Sequence, residues 1–155
     1  MVRVENGMRF SLLTFSVTAI IVGIAGQPLL RLIGSNVTLV SEWIWIAMIF
    51  AYFFERYGAL HLQLYSITND IVWHIANGVS GLIFITFSFI FTAVAGLGVI
   101  SFPLALIISN LSFFVWYTAR KSYKYFNLDF PGFEYRTSFY PLLLLVVYMI
   151  FRLVA

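Results

Sequence analysis

The chain has 155 residues, of which 62% are hydrophobic and only 10% are charged, and its formal net charge is +3. An ordinary soluble domain has about 25% charged residues, so this composition excludes a soluble globule and predicts an integral membrane protein made mainly of hydrophobic α-helices. The absence of cysteine excludes disulfides and thiolate metal sites, and basic residues scattered between apolar stretches argue against a nucleic-acid partner.

The first apolar segment, residues 10–30, carries no charge and is bracketed by Arg9 and Arg31. Its length is close to the ~20 residues that cross a hydrocarbon core, which predicts a first membrane span preceded by a cytoplasmic N-terminus, residues 1–9. The turn signal Gly34-Ser35-Asn36 then separates this span from the next.

The second apolar segment begins at Val37 and has two alternative ends. If it ends at Arg56, Glu55 and Arg56 are ordinary anchors at the lipid headgroups. If the helix continues to Ser66, Glu55 lies about 15 Å above its lower end, at ~1.5 Å rise per residue. The pair would then be intramembrane charges, which normally mark a transport pathway or a binding site. The sequence leaves both readings open.

The third and fourth spans come from an uncharged stretch, residues 71–119, that is too long for one helix. The small-residue segment Ala95-Gly96-Leu97-Gly98, followed by Pro103, predicts a break within it. Residues 10–119 are therefore expected to form a four-helix transmembrane bundle.

Beyond the bundle, residues 120–136 are predicted to be a basic cytoplasmic connector with a turn at Pro131-Gly132. Residues 137–155 are expected to form a fifth transmembrane or membrane-lying helix. The predicted fold class is thus all-α, a polytopic transmembrane helix bundle of four to five spans.

The distribution of basic residues predicts how the chain is oriented, because cytoplasmic loops are enriched in Lys and Arg. Alternate loops divide them unequally, with Arg3, Arg9, Arg56, Arg120, Lys121, Lys124 and Arg136 on one side and only Arg31 and Arg152 on the other. We therefore expect a multi-pass protein of the cell inner (plasma) membrane with a cytoplasmic N-terminus.

Five polar residues near or within the spans are the candidate substrate-binding residues, and they are Glu55, Arg56, His61, His74 and Asn77. An arginine within the membrane is suited to hold a phosphate. His74 and Asn77 fit either a helix-helix hydrogen bond or, with Asp70 one turn earlier, a proton relay.

Other polar residues have structural interpretations. The polar run from Ser66 to Asp70 predicts a loop whose Asn or Asp side chain caps the following helix. Asn110, within the fourth span, predicts a hydrogen bond to another helix.

An enzyme is not indicated by the motifs of the chain. There is no nucleophile elbow, phosphate loop, zinc pattern or pair of catalytic carboxylates. The expectation is a protein that is not an enzyme and has no catalytic residue, cofactor or metal.

The order of features from Ala25 to Tyr123 resembles the C-terminal part of the lipid-linked oligosaccharide and polysaccharide (O-antigen) flippases, a family of the multidrug/oligosaccharidyl-lipid/polysaccharide transporter superfamily. The similar features are the span ending Pro28-Leu29-Leu30-Arg31-Leu32-Ile33-Gly34, the polar turn Ser66 to Asp70, Asn77 near the start of the next span, the turn Val94 to Gly98, and the basic stop Arg120-Lys121. About two-thirds of the chain is covered.

The resemblance implies a transporter component that moves a polyprenyl-pyrophosphate glycan across the membrane in polysaccharide or lipopolysaccharide biosynthesis, with Arg56 as the candidate phosphate ligand. The family has more spans than this chain can hold, so the chain looks like a fragment that would need another copy or a partner membrane bundle. Expected partners are the lipid bilayer and a lipid-linked oligosaccharide. The alternative is a small membrane scaffold or accessory subunit with no transport activity of its own.

Overall fold

The structure, a computed structural model, describes residues 2–70 and 72–154, which are 85% helical and contain no strand. Six helices follow one another in this part of the chain: α1 (Val2–Leu32), α2 (Glu42–Ser66), α3 (Trp73–Val94), α4 (Gly98–Phe126), α5 (Gly132–Thr137) and α6 (Phe139–Val154). The last turn of α3 is π-helical, and a second π-helical turn, Asn110–Phe114, lies in the middle of α4. The all-α fold class is confirmed.

Contacts between helices give their directions. Arg136, just before α6, pairs with Glu5 near the start of α1, with 3.0 Å between Nε and Oε2. At the other end of α6, Arg152 pairs with Glu42 at the start of α2. The helices α1 and α6 therefore run in the same direction, and α2 runs in the opposite one.

A second set of helices packs on the other side of α2. The Asn110 side-chain amide donates to the backbone oxygen of Ala51 at 3.0 Å, and the Ser122 hydroxyl donates to the backbone oxygen of His61 at 2.7 Å. Along this interface the residue numbers of α2 and α4 increase in the same direction, so the two helices are parallel. The helix-helix hydrogen bond predicted for Asn110 is confirmed.

The apolar core consists of two clusters that share α2. The first joins α1, α2 and α6, and the second joins α2, α3 and α4. Their buried members are Leu12, Ala19, Ile49, Phe53, Leu145 and Tyr148 in the first, and Leu62, Tyr65, Val72, Ala76 and Phe114 in the second. Gly58 lets α2 approach α4 closely, since a Cβ there would lie 2.6 Å from the Phe114 ring. α2 is the central helix of the bundle.

Among the described residues, three helices are long and apolar enough to cross a membrane, and these are α1, α3 and α4. α2 has 25 residues but contains Glu42, Glu55 and Arg56, and α6 has 16 residues. Helices of this length and composition are those of a membrane protein.

The helix boundaries agree with the expected breaks in some places. The chain breaks between α3 and α4, where Gly96 and Gly98 both have φ +65°, a conformation that glycine adopts without a steric penalty. This break was predicted. α1 also ends just before the Gly34 turn, which has φ +73°.

Two predicted boundaries differ from the structure. α1 begins at Val2, so most of residues 1–9 belongs to the helix. α4 continues through the basic stretch to Phe126, because Lys and Arg are good helix formers, and it stops at Asn127 with φ +49°. The connector between helices is therefore shorter than residues 120–136. α6 packs against α1 and α2.

The predicted cap of α3 by an Asn or Asp side chain of the preceding loop is wrong. Among the described residues, no side chain caps this helix, whose N-cap position is Val72. The Asp70 carboxylate instead accepts a hydrogen bond from the Tyr65 hydroxyl at 2.6 Å. The Tyr65 hydroxyl, in the last turn of α2, thus takes the place of a backbone N–H of α3 as the donor to this carboxylate.

Candidate functional site

α2 continues past Glu55 and Arg56 to Ser66, so the longer of the two predicted forms of this helix is the observed one. At ~1.5 Å rise per residue, both charges lie about 15 Å from the Ser66 end of the helix. Both side chains are exposed, and because neighbouring residues on a helix point about 100° apart, they enter different grooves. The pair is therefore two separate candidate sites.

Arg56 lies in a groove of about 620 Å³ between α1 and α2. Its Nε and Nη2 atoms donate to the Ser11 hydroxyl at 3.0 and 2.9 Å. Within the described part of the chain, no carboxylate contacts its guanidinium group. Among the described residues, the positive charge of Arg56 thus has a neutral hydroxyl as its only hydrogen-bond partner.

The rest of this groove is largely apolar. Its other lining residues are Phe10, Thr14, Phe15, Thr18, Ala19, Val22, Trp45, Met48, Ile49 and Tyr52. Because the two helices are antiparallel, Arg56 and Ser11 lie at one end, and Val22 and Trp45 lie at the other. At ~1.5 Å rise per residue the groove is about 18 Å long, comparable with the ~15 Å depth of one lipid leaflet.

Glu55 lines a second groove, of about 260 Å³, between α2 and α3 with α4 as its floor. Asn77 lines the same groove, so the structure brings two of the predicted residues together. Ser80 also lines it, and the buried hydroxyl of Ser80 has no hydrogen-bond partner. No hydrogen bond or ion pair of Glu55 is found among residues 2–70 and 72–154.

A third polar cluster surrounds Glu134 in α5 and was not predicted. Oε1 of Glu134 accepts a hydrogen bond from the Tyr57 hydroxyl at 2.6 Å and another from the Tyr123 hydroxyl. Oε2 accepts one from the Ser138 hydroxyl. This carboxylate therefore ties α2, α4 and the α5–α6 corner together.

His61 belongs to this cluster. Its side chain is fully buried, and Nε2 lies 3.5 Å from Oε1 of Glu134 without forming a hydrogen bond. The ring packs against aromatic side chains, with the Tyr57 centroid at 4.7 Å and the Phe133 centroid at 5.8 Å. The structure thus places His61 in the packed interior, apart from both grooves.

The ionisation of Glu134 follows from its neighbours. Burial raises the pKa of this carboxyl, but the adjacent His61 and the hydrogen bonds from Ser138, Tyr123 and Tyr57 outweigh burial and lower the pKa to about 2. Glu134 is consequently ionised at neutral pH. With its oxygens already occupied by three hydroxyl donors, it has little capacity left to bind a ligand.

The remaining candidate, His74, is exposed and lines neither groove. A relay between His74 and Asp70 is not supported by their contacts, since the Asp70 carboxylate is hydrogen-bonded to Tyr65. The sequence could have indicated only part of the Glu134 cluster. Tyr57 and His61 are one helical turn apart and are expected to be neighbours, but Tyr123 and Glu134 come from distant segments.

Comparison with known proteins adds no relative. No protein-family model matches the chain, and no curated protein or solved structure matches it. The structure by itself shows a helical membrane protein in which Arg56 and Glu55 of the central helix lie in two different grooves.

Proposed function

We propose that the protein is a component of a membrane transporter for a lipid-linked substrate that carries phosphate, as the resemblance to polysaccharide flippases implies. The observation that carries the proposal is the groove between α1 and α2, in which an apolar channel ends at Arg56. The charge of Arg56 has no carboxylate partner among the described residues.

The chemistry of the groove fits a lipid phosphate. An acyl or polyprenyl chain is apolar and suits the wall formed by Phe15, Ala19 and Ile49. A guanidinium group recognises phosphate oxygens through two parallel N–H donors, and this interaction strengthens where water is excluded. In the proposed complex, Arg56 contacts the phosphate and Ser11 holds the guanidinium group in place.

Transport requires more than one binding groove, because alternating access usually takes place between two helix bundles around a substrate at the membrane midplane. The groove opens sideways from a single bundle, so we propose that a second copy or a partner bundle closes it. By the distribution of basic residues, the protein would lie in the inner membrane with its N-terminus in the cytoplasm.

Binding of a polyprenyl pyrophosphate to the purified chain tests the proposal directly. In native mass spectrometry from detergent micelles, we expect the pyrophosphate to bind at least about tenfold more tightly than the neutral polyprenol, because a charge-assisted contact is worth roughly 1.5–3 kcal/mol. Arg56→Gln should remove this difference. Arg31→Gln, an exposed arginine outside the groove at the other end of α1, should leave it intact.

These binding experiments distinguish a lipid-phosphate transporter component from a membrane scaffold. If polyprenol and its pyrophosphate bind equally well, and Arg56→Gln changes neither, the lipid-phosphate proposal fails and the scaffold reading takes its place. If the pyrophosphate binds through Arg56, reconstitution into liposomes with a fluorescent polyprenyl pyrophosphate then measures whether the chain moves it by itself. Movement only after a partner is added would support its role as one component of a transporter.

A further inference from the structure

The groove that contains Glu55 has no role in the proposed lipid-phosphate site. It lies on the α3 side of α2, whereas the Arg56 groove lies on the α1 side. The two grooves share no lining residue, so a ligand of the Glu55 groove is independent of the proposed function.

The polar groups in this groove are mainly hydrogen-bond acceptors without protein donors. Glu55 supplies a carboxylate with no cationic partner among the described residues. Ser80 is only 8% exposed, and its hydroxyl has no hydrogen-bond partner within residues 2–70 and 72–154. A buried polar atom normally finds a hydrogen bond, so an unpartnered hydroxyl in the same groove as a carboxylate is a candidate ligand position.

The positions of these groups are held by contacts between the helices. The Ser109 hydroxyl donates to the backbone oxygen of Ser80 at 2.6 Å, which joins α4 to α3 beneath the groove. Asn110 is bonded to α2 through Ala51 and begins the π-helical turn in the groove floor. π-Helical turns are frequent at functional sites, and here both ends of the turn, Asn110 and Phe114, line the groove.

The size and the walls of the groove indicate the class of ligand. A volume of about 260 Å³ far exceeds the ~30 Å³ that one water molecule occupies. No group of three His, Cys, Asp or Glu side chains in the described segments is arranged to hold a metal ion. Trp73, Phe84 and Phe114 line the groove, and aromatic faces attract organic cations.

We propose that this groove binds a small organic ammonium ion, with the ammonium group on the Glu55 carboxylate and the Ser80 hydroxyl and its apolar part against the aromatic wall. The Asn77 side chain supplies a further carbonyl acceptor. A groove of about 260 Å³ is large enough for a small amphipathic amine and too small for a bilayer lipid with its acyl chains, so the ammonium comes from a small amine.

Calorimetric titration of the purified full chain with phenethylammonium tests the proposal, with 2-phenylethanol as the neutral molecule of matching shape. We expect the ammonium to bind at least about tenfold more tightly than the alcohol, the factor that a charge-assisted hydrogen bond supplies. This comparison uses the unchanged protein, so it does not depend on the folding of any variant.

Variants then locate the site. Glu55→Gln should abolish the preference for the ammonium, and Ser80→Ala should weaken its binding several-fold. Glu42→Gln, in the first turn of the same helix but outside the groove, should leave binding unchanged. Arg56→Gln should retain the preference for the ammonium over the alcohol, which distinguishes this site from the proposed lipid-phosphate site.

Three results would overturn the inference. The first is equal binding of phenethylammonium and 2-phenylethanol. The second is retention of the ammonium preference in Glu55→Gln. The third is displacement of phenethylammonium by sodium chloride at equal concentration, which would indicate a site for an inorganic cation.

Discussion

The two most polar regions around α2 differ in how completely their charges are satisfied. At the Ser66 end of the bundle, Glu134 accepts hydrogen bonds from Tyr57, Tyr123 and Ser138. Near the middle of α2, Glu55 and Arg56 have no partner of opposite charge in the described part of the chain. In the first region the charge is hydrogen-bonded to neighbouring side chains, and in the second each charge lies in a groove without a counter-charge.

The difference indicates what each region contributes. A partly buried carboxylate that accepts hydrogen bonds from three hydroxyls on different segments holds those segments together and has little capacity left for a ligand. A charge without a counter-charge in a helical membrane protein is often kept because it acts on a substrate or an ion. The comparison therefore favours a stabilising role for the Glu134 cluster and agrees with the binding proposed for the grooves.

The largest effect should come from Glu134→Ala. This variant leaves the hydroxyls of Tyr57 and Tyr123 buried without their acceptor, and we expect the free energy of unfolding to fall by about 4 kcal/mol. Titration with SDS in mixed micelles measures it. Glu42→Ala, which removes a half-exposed pair with Arg152, is the control and should cost less than about 1 kcal/mol. Equal losses in the two variants would remove the distinction between the regions.

Acid should weaken the same cluster. The pKa of Glu134 in the folded protein is lowered to about 2 from an ordinary value of 4.5. The stabilisation is therefore fully present above pH 4.5 and is lost as the pH falls toward 2. At ~1.36 kcal/mol per pKa unit, the loss is about 3 kcal/mol. Unfolding measured across this range should show it in the natural protein and not in Glu134→Gln; identical pH profiles would contradict the prediction.

The smallest effect on stability should come from the groove charges. Glu55→Gln and Arg56→Gln each remove a charge without a counter-charge, so we expect the free energy of unfolding to change by no more than about 0.5 kcal/mol. The same SDS titration measures both variants. A loss of about 2 kcal/mol or more in either one would mean that the charge holds the bundle together, and the binding role assigned to its groove would not stand.

Local patterns predicted several elements correctly. The glycine-rich break between α3 and α4 and the interhelical bond of Asn110 followed from backbone preference and from the cost of a polar amide among lipids. The end of α2 was left open because apolar patterning weakens after Arg56, and packing of Leu62 and Tyr65 against α3 carries the helix onward. Asp70 was mispredicted because its competing partner, Tyr65, becomes available only when α2 extends that far.

The candidate site was predicted in part. Glu55, Arg56 and Asn77 stood out because charged and amide side chains are rare in apolar segments, and the structure finds each of them in a groove. The cluster of His61 with Glu134 could not be read from local patterns. Its members come from α2, α4 and α5, and the connector residue Glu134 carries no local sign that it will be buried.

The sequence by itself determined that this chain forms long apolar helices for a membrane, because composition and segment length are local quantities that the bilayer selects directly. Only the tertiary structure decided which polar side chains meet. The adjacent residues Glu55 and Arg56 enter different grooves, whereas His61 and Glu134 come together from distant segments. That outcome depends on which face of each helix packs against its neighbours, and interhelical packing is not encoded within any single segment.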